Sequence, residues 1–177
     1  MENKKIFILW LTGLSGAGKT TLAKSVKEKI SKYHDKVHHL DGDEVRAASK
    51  EPLGFDKVGR DKNIKLAIEL AKSYQDNGYI VIASFISPYK EHRQWGKDSL
   101  QNYIEVFVDA PLEICELRDT KGMYKKARAG EISFFTGISD PYENPENPNL
   151  VIKTHIESLD ECVRKIIDYL AGKKLIR

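Results

Sequence analysis

The sequence predicts an α/β fold of one domain, with a parallel five-stranded sheet between two layers of helices. Two observations carry this. Short apolar runs alternate along the chain with longer stretches whose apolar residues recur at helical spacing. The first run is joined to the first such stretch by Gly13-Leu-Ser-Gly-Ala-Gly-Lys-Thr20. That segment fits G-x-x-x-x-G-K-[ST] in the strand–loop–helix context of a phosphate-binding loop.

The elements follow in order. Ile6-Phe-Ile-Leu-Trp-Leu11 is continuously apolar, as a strand buried on both faces should be. Leu22, Ala23, Val26, Ile30 and Tyr33 then mark one face of a helix, with lysines opposite. Val37 to Leu40 is a second strand, ending at Asp41-Gly-Asp43, and residues 49–57 read as a loop with Pro52 and Gly54. Ile64, Ala67, Ile68, Ala71 and Tyr74 predict a helix that stops at Asn77-Gly78. Tyr79 to Ala83 is the third strand, and Pro88 is expected to open the helix after it. Tyr103 to Val108 is the fourth strand, with Pro111 opening another helix. Residues 119–149 show no core periodicity; they carry Lys121, Lys125, Lys126 and Arg128, then glycines and prolines. Leu150-Val-Ile152 is the fifth strand, and Leu159, Cys162, Val163, Ile166, Ile167 and Leu170 form the stripe of a last helix.

Bulk properties set bounds. At 177 residues a single domain over 1–177 is expected, and 41% hydrophobic with 31% charged residues is the composition of a water-soluble globular protein. Cys115 and Cys162 sit at helix-core positions without metal-site spacing, and read as small buried hydrophobes in a reducing compartment. The run Ile6 to Leu11 is too short to span a membrane and no signal cleavage site follows, so a cytoplasmic protein with no membrane partner is expected. A net charge of +3 gives no reason to expect nucleic acid as a partner, but leaves room for a locally basic cleft.

The loop has a definite chemistry. Gly13, Gly16 and Gly18 let backbone N–H groups converge on an anion, and the following helix adds its positive end. Lys19 brings a point charge to the β- and γ-phosphates, and the Thr20 hydroxyl is a candidate Mg²⁺ ligand. Gly13, Leu14, Ser15, Gly16, Ala17, Gly18, Lys19, Thr20 and Thr21 are therefore the candidate ATP site. Three features favour a small-molecule kinase among phosphate-loop proteins. The chain is short, it has no Asn-Lys-x-Asp guanine-reading segment, and residues 119–149 have the character of a lid. Phosphoryl transfer to an alcohol needs a carboxylate at the hydroxyl. Asp41 and Asp43 end the neighbouring strand: one is expected to hold Mg²⁺ through water (Asp41), and the other to receive the acceptor hydroxyl (Asp43). Asp41 has a plainer reading too, as a turn cap. Functional groups should gather at the carboxyl ends of strands, in the phosphate loop, Asp41-Gly-Asp43, Ser84-Phe-Ile-Ser87 and the loop from Asp109.

Several segments carry a closer resemblance. They are Leu40-Asp-Gly-Asp-Glu-Val-Arg46, Leu53-Gly-Phe55, Arg60-Asp-Lys-Asn63 and Ser84-Phe-Ile-Ser-Pro-Tyr89. Further along come Val106-Phe-Val-Asp-Ala-Pro111, Lys121-Gly-Met-Tyr-Lys-Lys-Ala-Arg-Ala-Gly-Glu131 and Phe135-Thr-Gly137. In this order they resemble the adenylylsulfate kinase (APS kinase) family, over about residues 6–170. The resemblance implies a P-loop kinase-type three-layer fold, ATP and Mg²⁺ as cofactors, and phosphorylation of the ribose 3′-hydroxyl of adenosine 5′-phosphosulfate (APS). The products would be 3′-phosphoadenosine 5′-phosphosulfate (PAPS) and ADP, the second step of sulfate activation, after ATP sulfurylase. It is compatible with a homodimer. By position it assigns Asp43, Arg46, Phe55, Arg60, Asn63, Ile86, Ser87, Lys121 and Phe135 to the acceptor and Arg118 to the donor adenine. The residue chemistry agrees: Arg46, Arg60 and Asn63 suit a phosphosulfate, and Phe55 and Phe135 can sandwich a purine. Each also has a plainer reading, as a solvated helix charge, a loop anchor or a solubilising lid charge.

Lys19 and Asp43 are the candidate catalytic residues, with Ser87 as a third. The resemblance attaches a phosphoserine intermediate to Ser87, but no histidine adjoins it to act as base, and in-line transfer needs none. A substrate contact is the expectation. Three positions depart from the family pattern: Glu44, the run Lys57-Val-Gly-Arg-Asp-Lys-Asn63, and Phe134 where a glycine is usual. Another small-molecule kinase and a catalytically silent nucleotide-binding module remain as alternatives.

Overall fold

The computed structural model describes residues 5–49 and 53–176. Pro52 of the expected 49–57 loop lies outside them. Five strands, β1 (Ile8–Thr12), β2 (Val37–Asp41), β3 (Ile80–Ser84), β4 (Tyr103–Val108) and β5 (Leu150–Ile152), form one parallel sheet in the order β2-β3-β1-β4-β5. Helices α1 (Lys19–Ile30), α2 (Gly42–Ala48), α3 (Lys57–Asp76), α4 (Lys90–Ser99), α5 (Leu112–Arg118), α6 (Met123–Arg128) and α7 (Leu159–Gly172) complete the fold.

Two hydrophobic clusters, one on each face of the sheet, make the three layers. Phe7, Leu9 and Leu11 point into a cluster with Leu22, Ala23 and Val26 of α1 and Val163, Ile166 and Leu170 of α7. Ile8 and Trp10 point the other way, onto Ile64, Ala67, Ile68 and Ala71 of α3. With both faces covered, every residue of β1 is buried, hence its continuous apolar sequence. Both cysteines are free and buried, Cys115 in α5 and Cys162 in α7. Among the described residues no helix is long and apolar enough to cross a membrane.

Four local expectations are corrected. α1 ends at Ile30, so Tyr33 lies beyond the helix and is 63% exposed instead of extending its buried face. α3 starts at Lys57, within the expected loop, because the Asp56 carboxylate caps it by accepting from the Gly59 N–H at 2.9 Å. Pro88 does not open α4; Tyr89 is the N-cap and the helix begins at Lys90. Residues 119–149 contain α6, whose six residues are too few to show a period. Asp119 stands in for the missing turn, accepting from the Tyr124 and Lys125 N–H groups at 3.0 Å each.

Candidate active site

The strand order sets the site. β1 pairs with β3 on one side and β4 on the other, so the chain turns away in opposite directions at its carboxyl end and opens a crevice there. A cavity of about 810 Å³ occupies it. The phosphate loop crosses it between β1 and α1. A Cβ at Gly13 would stand 2.4 Å from the Val108 carbonyl oxygen, and Gly18, the α1 N-cap, holds φ +97°; neither position admits a side chain without strain. The Lys19 ammonium folds back into the loop, donating to the Gly13 and Leu14 carbonyls at 2.9 and 2.7 Å. Burial lowers its pKa to about 8, against the pull of nearby charges including Asp43 and Asp41.

Asp41 does both things the sequence offered. Its carboxylate caps α2 by accepting from the Asp43 N–H at 3.0 Å, and it accepts from the Thr20 and Ser84 hydroxyls at 2.8 and 3.0 Å. Burial alone would raise its pKa, but these three hydrogen bonds outweigh burial and hold it below the usual carboxylate value. His39, whose own pKa is lowered first by burial, sits 2.8 Å from the Ser84 hydroxyl and extends the chain. Because the Thr20 proton is directed at Asp41, the Thr20 oxygen keeps lone pairs for a cation. Asp43 lies on α2 with its carboxylate side chain 70% exposed, ion-paired with Lys121.

Of the residues assigned to the acceptor, Asp43, Arg46, Phe55, Arg60, Asn63, Ile86, Ser87, Lys121 and Phe135 all line the cavity. Arg46 lies over the Phe55 ring at 4.8 Å and donates to the Leu53 and Gly54 carbonyls. Arg60 is buried and bridges two loops, donating to the Phe55 carbonyl at 2.6 Å and to the Phe134 carbonyl. Phe135 is buried, edge-on to Tyr124 at 4.9 Å, while Phe55 is 40% exposed. Phe134 takes φ +57°, the conformation a glycine would hold without cost, and points outward. Asn63 Oδ1 and Thr136 Oγ1 are buried, belong to residues that line the cavity, and have no hydrogen-bond partner among the described residues, which marks them as groups for a ligand.

Of the residues expected to hold ATP, Ser15, Gly16, Gly18, Lys19, Thr20, Thr21 and Arg118 line the cavity, whereas Gly13, Leu14 and Ala17 do not. Arg118 donates to the Gly16 carbonyl at 3.1 Å and the Thr154 carbonyl at 2.8 Å. The Thr154 hydroxyl in turn reaches the Ala17 carbonyl at 2.7 Å. Asp109, expected at the site, does not line the cavity. Sequence reasoning placed Ser84 in a segment expected at the site without giving it a role, and missed Thr136, Thr154 and His39. Of these three only Thr136 had a signal, its place between Phe135 and Gly137; the others come from a strand and a loop far apart in the chain.

Comparison with known proteins decides the family. Residues 5–153 match the adenylylsulphate kinase family. The chain belongs to that family. It is 49% identical over 176 residues to the adenylyl-sulfate kinase of Halothermothrix orenii, covering 99% of this chain and 95% of that one. It is 53% identical over 161 residues to a probable adenylyl-sulfate kinase of Pseudomonas aeruginosa, covering 91% and 75%. The Mycobacterium tuberculosis APS kinase, solved in complex with AMPPNP and APS, superimposes with a TM-score of 0.88 at 39% identity, covering 96% of this chain and 99% of that one. The adenylylsulphate kinase family thus accounts for the P-loop kinase-type fold and for motifs lying on both halves of the cavity.

Proposed function

We propose that this chain transfers the γ-phosphoryl group of ATP to the ribose 3′-hydroxyl of APS, giving PAPS and ADP. One observation carries the reading: a complete phosphate loop and an exposed carboxylate, Asp43, share one cavity with Arg46, Phe55, Arg60, Asn63, Ile86, Ser87 and Phe135. The ATP polyphosphate lies along residues 13–20, with Lys19 at its β/γ end and Arg118 beside the adenine. Asp43 orients the 3′-hydroxyl and receives its proton as the hydroxyl oxygen bonds to the γ-phosphorus in line. Arg46, Arg60 and Asn63 hold the phosphosulfate, and Phe55 and Phe135 border the purine. Thr20, and Asp41 through water, would hold Mg²⁺, which neutralises phosphate charge. The same reading carries further expectations, a cytoplasmic protein and a place after ATP sulfurylase, and it is compatible with a homodimer, which light scattering would detect.

ADP release assayed with APS, shikimate, gluconate and AMP tests the proposal. APS should be the productive acceptor, and turnover with shikimate or gluconate but not APS would overturn it.

Residues 119–149 are proposed as the lid. Hydrogen exchange there should slow when ADP and APS are added together, most at the exposed stretch from Arg128 to Phe134. Tyr124, whose hydroxyl reaches the Ser15 carbonyl at 2.8 Å, and buried Phe135 should be protected in both states. Equal exchange throughout would make the segment a fixed surface element.

Ser87 acts here as a substrate contact. Its hydroxyl meets the Trp10 indole and, at 3.5 Å, the Phe85 carbonyl, neither of them a base. Ser87→Ala should keep substantial kcat and raise KM for APS a few-fold to tenfold, the loss of one hydrogen bond worth about 0.5–1.5 kcal/mol. Competent, stoichiometric labelling of Ser87 by γ-labelled ATP would restore the covalent route.

A further inference from the structure

Ser87 is held by groups from two other elements, β1 and α4. Its backbone sits at φ +44°, a left-handed conformation that costs a serine energy and persists only when its surroundings fix it. The Arg93 guanidinium, itself buried, donates to the Ser87 carbonyl at 2.7 Å, and the Thr12 hydroxyl donates to the preceding Ile86 carbonyl at 2.7 Å. With the backbone pinned, the hydroxyl is placed by Trp10: the buried indole Nε1–H donates to Ser87 Oγ at 2.9 Å.

An indole N–H can only donate, so Ser87 Oγ must accept from it. Among the described residues the hydroxyl proton then has one protein acceptor in reach, the Phe85 carbonyl at 3.5 Å, the outer limit of a hydrogen bond. Ser87 is buried, 1% exposed, but belongs to the cavity wall, so a ligand seated against that wall is what this under-used proton can meet. We infer that Trp10 is a positioning residue that sets the Ser87 hydroxyl as a hydrogen-bond donor toward an oxygen of the acceptor, a phosphosulfate or ribose oxygen. The same hydrogen bond occupies a lone pair that a nucleophilic serine would use. Trp10 is packed at 5.1 Å against Phe85 in the cluster under β1, so it acts on the substrate only through Ser87.

The inference rests on the acceptor reading of the cavity, and the test separates the two. Trp10→Phe keeps an aromatic ring on Phe85 and removes the N–H. It should raise KM for APS a few-fold to tenfold, as Ser87→Ala does, and leave KM for ATP unchanged. The double variant should be no worse than Ser87→Ala alone. A merely structural role for Trp10 would move both KM values, or would multiply with Ser87→Ala, and either result overturns the inference. So does a Trp10→Phe variant with unchanged KM for APS beside a Ser87→Ala variant that shows the increase. If Ser87→Ala itself leaves KM for APS unchanged, Ser87 is not at the acceptor and the inference falls with that placement, while turnover of APS would still uphold the proposed reaction. Should Trp10→Phe fold poorly, benzothienylalanine in place of Trp10, in a Trp95→Phe background, swaps the N–H for sulfur at nearly constant shape. An unchanged KM for APS in that protein would equally overturn the inference.

Discussion

Lys19→Ala is expected to abolish turnover while the fold persists. The ammonium is buried in the loop, held by the Gly13 and Leu14 carbonyls, and takes no part in either hydrophobic cluster. Its removal exposes two carbonyls to water that the cavity can admit. It also ends the desolvation of a charge, so thermal stability should change little. Catalysis differs, because the charge that develops on the transferring phosphoryl loses a fixed cation. That loss should cost about 3 kcal/mol or more, on the order of a hundredfold or greater in rate. Near-normal activity in the purified, folded variant would refute the donor-site assignment. The lowered Lys19 pKa adds a pH signature. Phosphates favour the protonated amine, so above about pH 8 the free protein must take up a proton on binding ADP. Affinity then falls as pH rises through that value, by up to about tenfold per unit. Calorimetry in buffers of different ionisation enthalpy should show proton uptake above pH 8 and none from this group well below it.

Asp43→Asn should lower kcat by roughly a hundredfold or more, with a smaller change in ATP affinity. The exchange keeps size and some hydrogen bonding, but removes the charge and replaces one acceptor oxygen with an NH₂ donor. Asp43 is exposed, and its structural contributions are the ion pair with Lys121 and a favourable place in the first turn of α2. An exposed pair and a helix-end charge are each worth about 1 kcal/mol or less, so the folded state should survive. An unaltered kcat would shift the proton-accepting role to Asp41, whose carboxylate is already committed to three donors.

The sequence by itself determined the alternation of elements, the phosphate loop and the family motifs. These are local signals. A strand buried on both faces must be continuously apolar, and a G-x-x-x-x-G-K-[ST] loop is readable within eight residues. Short helices were not legible. α2 and α6 span seven and six residues, fewer than two turns, and their starts depend on Asp41 and Asp119 accepting backbone N–H groups. The start of α3 was hidden for a similar reason, since its first turn carries Lys57, Val58 and Arg60 with no apolar period. What only the tertiary structure decided is the pairing of groups distant in sequence: Arg60 bridging the Phe55 and Phe134 loops, Thr154 under the phosphate loop, and Trp10 against Ser87. Hydrogen bonds across tens of residues leave no period or spacing in a sequence, because the strand order β2-β3-β1-β4-β5 brings the partners together.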